Sequence, residues 1–316
     1  MAQHPDIKVV VCDVDGTLLD SKHALADETV NALKKAIDQG VKVILATGKT
    51  RVSSDSIYKR LGVETPGVFV QGLVLNYPDG TEKHLGTLDP DLLRRVITFA
   101  EDRGFQVIAY SGRRVLARQQ TEVSILLTES YEEPKPEVVG PLQNIVNTVP
   151  INKLMFCGAA PEKITHLRWQ LSHMIGGSAR LTQALPEAVE MLPQGASKAS
   201  ALKVLFKELD IDPATTLAIG DGENDIEMIQ LVGWGVAMGH GHDKLKAAAK
   251  AIVGTNDAHG VAEAVTKYVL KTPKVEEKVI VVDSTRENVI DTVVEAVTEA
   301  SEKLEAKDKK KKGASK

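Results

Sequence analysis

Cysteine is scarce in this chain: two in 316 residues, Cys12 and Cys157, far apart and each inside an apolar, strand-like run. That usage argues against a structural disulfide and for a reducing compartment, which we take to be the cytoplasm. Long apolar runs are also missing. None reaches the ~18 residues that a membrane span needs, and the first residues, MAQHPDIK, carry no apolar signal core. Nor does one sign of charge dominate. A net charge of −4 gives no global attraction to nucleic acid or to an anionic membrane. These absences leave a soluble chain, 43% hydrophobic and 26% charged, long enough for about two domains.

What the chain does hold is concentrated at its start. VVVCDVDGTLLD, Val9 to Asp20, opens with a β-branched run that reads as a strand buried on both faces. It ends in two carboxylates, Asp13 and Asp15, followed by Gly16 and Thr17. Side chains two residues apart on extended backbone point the same way. Two such acids repel unless a cation lies between them. By itself Asp13-Val-Asp-Gly reads better as a turn than as a site.

The rest of the chain supplies company. Residues 27–39 show helical periodicity, with Asp27 as the expected N-cap and Gly40 as the stop. Val41 to Thr47 follows as a second buried strand, then a helix over 52–61, the strand GVFVQG and a hairpin turning at Pro78-Asp79-Gly80. From about residue 88 to 185 helices alternate with hairpin-linked strands, which predicts an inserted α+β unit on an antiparallel sheet. The strand–helix rhythm resumes after it. A helix starts near Lys198, the buried strand TTLAIG runs into the acids of DGEND, and GWGVAM is one more strand. The fold class is thus α/β: a parallel-sheet core over 1–87 and 186–272, an α+β cap over 88–185, and an extension over 273–316. That extension reads as a strand, an amphipathic helix and a solvated Lys-rich tail.

Three strands therefore end in polar residues of distinct kinds: Asp13 and Asp15; Thr47 and Gly48; Asp221, Asn224 and Asp225. In open α/β sheets ligands bind beyond the carboxyl ends of the strands, so these groups meet if the strands are neighbours. An all-oxygen set without His or Cys suits a hard cation, Mg²⁺ above all, which bridges readily to phosphate. A cation and a lysine would offset the repulsion between an anionic nucleophile and an anionic phosphoryl group.

Asp13-Val-Asp-Gly-Thr-Leu, Ala46-Thr47-Gly48, Lys198 and Gly220-Asp-Gly-Glu-Asn-Asp225 resemble the four ordered motifs of the haloacid dehalogenase superfamily. The insert after the second motif resembles its Cof-type phosphatases. The resemblance runs from about Ile7 to Leu270 and implies a Rossmannoid core with a cap. It implies an Mg-dependent phosphatase acting on small-molecule phosphate esters such as sugar phosphates, pyridoxal phosphate or flavin mononucleotide. It also implies Asp13 as nucleophile and Asp15 as general acid/base. Mg²⁺ would bind Asp13, Asp221 and the main-chain carbonyl of Asp15. The phosphoryl group would be held by Val14, Thr47, Gly48, Lys198 and Asn224, with Asp225 orienting Lys198 or a metal-bound water. The chain departs from the family pattern at Cys12, at Lys49 in place of the usual arginine, and at Gln71 in place of the usual asparagine.

Other readings carry less. Gly48-Lys49-Thr50 looks like the end of a P-loop, but the required earlier glycine is Val43, inside a strand. His240-Gly-His242 reads as a turn into a helix near Asp243 rather than a metal site. Trp169 and Trp234 read as packing residues. A phosphoryl transferase or phosphomutase of the same superfamily, or a non-catalytic regulatory binding protein, are the alternative functions. Neither nucleic acid nor membrane is an expected partner.

Overall fold

The computed structural model describes residues 6–185 and 187–270, which belong to one compact unit, Met1–Lys271. The expected strand, helix and Lys-rich tail of 273–316 lie outside the described residues.

The chain opens with β1 (Val9–Cys12), α1 (Asp27–Asp38), β2 (Lys42–Leu45), α2 (Asp55–Leu61) and three short strands, β3 (Gly67–Phe69), β4 (Val74–Asn76) and β5 (Glu82–His84). The insert follows with α3 (Pro90–Glu101), β6 (Gln106–Ser111), β7 (Arg114–Ala117), α4 (Glu122–Tyr131), β8 (Glu137–Val138), β9 (Lys153–Cys157), α5 (Pro161–Ile175), β10 (Ala179–Leu185) and β11 (Ala188–Pro193). The return contains α6 (Lys198–Glu208), β12 (Thr216–Gly220), α7 (Ile226–Leu231), β13 (Trp234–Ala237), α8 (Asp243–Ala248), β14 (Ala251–Ile252) and α9 (Gly260–Tyr268).

The core is a parallel five-stranded sheet in the order β14-β13-β12-β1-β2. Its hydrophobic runs are continuous because both faces are covered. Alternate residues serve alternate faces: Val10, Cys12, Val43, Leu45, Leu217 and Ile219 join one apolar cluster, while Val9, Val11, Ile44 and Ala218 join another. The register levels the strand ends. Cys12 pairs with both Leu45 and Ile219, so the residues just beyond all three emerge at one edge.

The cap is a six-stranded sheet, β10-β11-β9-β6-β7-β8, antiparallel except for the last pair. One face packs Val107, Ala109, Leu154, Phe156, Val189 and Met191 under the apolar sides of α3 and α5. The period-2 alternation then turns Tyr110, Lys153, Met155 and Glu190 to the other face, toward the core.

Several expectations need correction. β11, which follows the expected boundary at 185/186, pairs with β10 as far as Pro193 and with β9 from Val189 to Met191, so it lies in the six-stranded sheet. Asp27 is not the cap of α1. Ala26 holds that position and Asp27 lies in the first turn, where it favours the helix through the dipole. The helix α4 was not foreseen, although Thr121 and Ser124 exchange amide and hydroxyl hydrogen bonds at its start and Pro134 lies just past its end. Trp234 packs beside Tyr268 at 5.3 Å between ring centroids, but Trp169 is 60% exposed on α5, its ring stacked on His166 and tilted against His173. His242 does behave as the turn predicted, its Nδ1 accepting the Lys244 amide at 3.2 Å as the cap of α8.

Candidate active site

The three strand ends meet at one cavity of about 570 Å³ between core and cap. Asp13 and Asp15 follow β1, Thr47 and Gly48 follow β2, and Asp221 and Asn224 follow β12; all six line the cavity. Val14 does not, because its side chain is buried in the core cluster. Only its main chain is left for a phosphate contact.

Tight approaches of backbone hold this edge together. At Gly16 the φ is +73°, and a Cβ there would sit 2.5 Å from the Asp221 carboxylate. Only glycine permits that closeness. Thr17 Oγ1 then donates to Asp221 Oδ1 at 3.0 Å, a supporting role that the motif alone did not reveal. Gly72 (φ +87°) presses against the Ser197 carbonyl, where a Cβ would meet it at 2.1 Å. Ser197 caps α6 through a reciprocal pair with Ser200, and that cap sets the position of Lys198.

Lys198 is 1% exposed. Its Nζ donates to Asp13 Oδ1 at 2.5 Å and to Asp225 Oδ1 at 2.6 Å. Burial alone would pull its pKa down, but the two carboxylates outweigh that and raise it. Asp225 is fully committed: its other oxygen accepts the amides of Asp221 (3.1 Å) and Gly222 (3.0 Å). It therefore suits a supporting role better than metal ligation. Burial, reinforced by Asp225 and Asp221, holds the Asp13 carboxyl well above the ordinary aspartate range despite Lys198. Asp221 is shifted upward as well, by burial and then Asp225.

Carboxylate oxygens of Asp13, Asp221 and Asp225 lie within 4.8 Å of one another. Crowded, partly desolvated acids of this kind fit a hard divalent cation, whose charge would relieve their repulsion. With Asp225 occupied, Asp13 and Asp221 are the side chains with oxygens to offer.

In the lining of the same cavity Lys49 Nζ lies 2.7 Å from Asp15 Oδ1. The departure from arginine thus places a point charge beside Asp15. Gln71 (φ +58°) accepts from Asn224 Nδ2 at 3.2 Å and donates to Glu190 Oε2 at 3.3 Å, joining core to cap. Lys153 Nζ donates to Glu190 Oε1 at 2.7 Å and stands 4.0 Å from the centre of the Tyr110 ring. Sequence reasoning missed these cap residues and Glu133. The available signal was a charged residue interrupting each apolar strand, in NKLMFCG and AVEMLP.

A family model described as haloacid dehalogenase-like hydrolase matches residues 10–265. The chain belongs to the haloacid dehalogenase-like hydrolases, in their Cof-type branch. It is 28% identical over 280 residues to phosphatase YwpJ of Bacillus subtilis, covering 81% of this chain and 98% of that one. An Arabidopsis thaliana protein named endoribonuclease YBEY, chloroplastic, is 36% identical over 273 residues, which are 84% of this chain and 47% of the relative. This chain therefore spans about half the length of that protein. Among solved structures, a haloacid dehalogenase-like hydrolase from Bacteroides thetaiotaomicron aligns with a TM-score of 0.75 at 26% identity, covering 82% of this chain and 98% of that one. Membership makes the protein a hydrolase of this family with an α/β core. Among the described residues, no helix is long and apolar enough to cross a membrane.

Proposed function

We propose that the protein is an Mg²⁺-dependent phosphatase that hydrolyses small-molecule phosphate monoesters through an aspartyl-phosphate on Asp13. One observation carries the reading. Among the described carboxylates, Asp13 alone both lines the cavity and accepts a hydrogen bond from the buried Lys198. The similarity to a Bacillus phosphatase along nearly all of that protein's length supports it.

In the first half of the reaction an Asp13 carboxylate oxygen bonds to phosphorus as the bond to the leaving oxygen breaks, and Asp15 gives that oxygen its proton. In the second half Asp15 takes a proton from water as the water oxygen attacks phosphorus. Inorganic phosphate departs and Asp13 is regenerated. Thr47, the Gly48 amide, Asn224 and the main chain at Val14 orient the phosphoryl oxygens, and Lys198 holds Asp13 in line. Mg²⁺ on Asp13, Asp221 and the Asp15 carbonyl would supply the charge neutralisation that brings two anions together. The cap serves as the lid over the leaving group, which we take from the sugar phosphate, pyridoxal phosphate or flavin mononucleotide type. The cytoplasm suits its two free, buried thiols. The ribonuclease name of the Arabidopsis relative describes a protein of which this chain matches under half, and we do not extend it to this site.

Release of inorganic phosphate from a panel of these esters, with and without Mg²⁺, tests the proposal. Full activity of Asp13→Asn in a metal-replete assay would sink it. Isomer formation in place of phosphate release would replace hydrolysis with a mutase reaction.

A further inference from the structure

The loop after β2 is gripped from the cap side at two points. Glu133, 4% exposed, lies just past α4, where Glu132 (φ +54°) ends the helix in the left-handed conformation. Its Oε2 accepts the Thr50 hydroxyl at 2.6 Å, and its carboxylate also accepts the Thr50 amide at 3.3 Å. On β9, Lys153 Nζ donates to the Gly48 carbonyl at 3.2 Å. The neighbouring Glu132 adds an outer contact, accepting from Ser56 Oγ at 3.2 Å. Between the two gripped residues lies Lys49, itself 7% exposed, with its ammonium 2.7 Å from Asp15.

Two buried side chains of opposite charge are thus spent on one short loop. A buried carboxylate is costly unless its oxygens are satisfied, and an apolar contact would seal the same surface without that cost. The Thr50 hydroxyl, wholly buried, completes the match. What these contacts fix, and an apolar seal would not, is the orientation of the 48–50 backbone and hence the origin of the Lys49 side chain.

We propose that Glu133, assisted by Lys153, is a positioning residue for proton transfer: it locks Thr50 and the 48–50 loop so that Lys49 holds the Asp15 carboxyl against the leaving oxygen. This rests on the phosphatase reading and deepens it, because the cap then assembles the acid/base as well as covering the substrate.

Leaving-group dependence separates positioning from mere structure. A nitrophenolate leaves with little protonation, whereas a sugar alkoxide needs the acid. Thr50→Val and Glu133→Gln are therefore compared on p-nitrophenyl phosphate and on the fastest sugar phosphate of the panel. Both variants should lower kcat on the sugar phosphate roughly tenfold, a part of the ~10²–10⁴ that a general acid supplies, and on the nitrophenyl ester less than about threefold. KM should change little, and Thr50→Ser, which keeps the hydroxyl, should restore turnover. The double variant should be no slower than either single one, since both break the same contact. Equal losses on the two esters, multiplying losses in the double variant, or no rescue by Thr50→Ser would overturn the assignment. If Asp13→Asn abolishes turnover while those results go against Glu133, the clamp alone falls. A wild type that turns over neither ester removes both readings.

Discussion

The core and the cap place their polar residues by different rules. In the core, the functional side chains other than Lys198, which opens α6, follow directly on parallel strands, where the sheet's register brings Asp13, Thr47 and Asp221 to one edge. In the cap, Tyr110, Lys153 and Glu190 sit within antiparallel strands, exposed to the cavity by alternation alone. A strand-end site is built from short motifs with turn residues. A sheet-face site is built from isolated side chains whose neighbours are set by strand pairing. On the proposed function, the first would carry the chemistry and the second would shape the space for the leaving group.

If that contrast holds, removing core groups should abolish turnover and removing cap groups should shift it. The largest effect belongs to Asp13→Asn, which should lower kcat by about 10³-fold or more while circular dichroism stays unchanged. Next comes Lys198→Met. It leaves Asp13 and Asp225 buried without their cation, so urea unfolding should show a loss of about 3–5 kcal/mol. A loss below about 1 kcal/mol would mean that the acids do not depend on Lys198. Gly72→Ala drives a methyl into the Ser197 carbonyl at positive φ, and should cost about 1–3 kcal/mol of stability. Glu190→Gln keeps the shape of the cap wall but removes its charge; we expect KM on the best ester to rise about tenfold with a smaller change in kcat. An equal fall in kcat would erase the distinction between the two regions. Smallest of all, Trp169→Ala should move stability by less than about 0.5 kcal/mol in the same unfolding assay, as expected for an exposed side chain.

How legible each region was follows from the same contrast. The acids of Asp13-Val-Asp-Gly and Asp221-Gly-Glu-Asn-Asp225 stand out because carboxylates ending apolar runs are unusual, and Lys198 because it opens a helix in the right order. Glu133 gave no such signal: it stands in a loose acidic, proline-containing stretch, and its partner Thr50 is 83 residues away. Lys49 was visible as a departure from arginine and Asp15 as a strand-end acid, but their pairing was not. The sheet that β11 joins was not legible either, because it is an ordinary apolar strand and nothing local says which of two sheets it enters.

The sequence by itself determined the periodicity of the strands and helices, the polar residues gathered at three strand ends and the family to which the chain belongs. Hydrophobic pattern and turn residues act over a few positions, so they can be read along the chain. Tertiary structure decided which charges share a dry space: Lys198 with Asp13 and Asp225, Lys49 with Asp15, and Glu133 with Thr50. Those pairings join residues tens to hundreds of positions apart. Their strength comes from burial, and burial exists only once the sheets have packed.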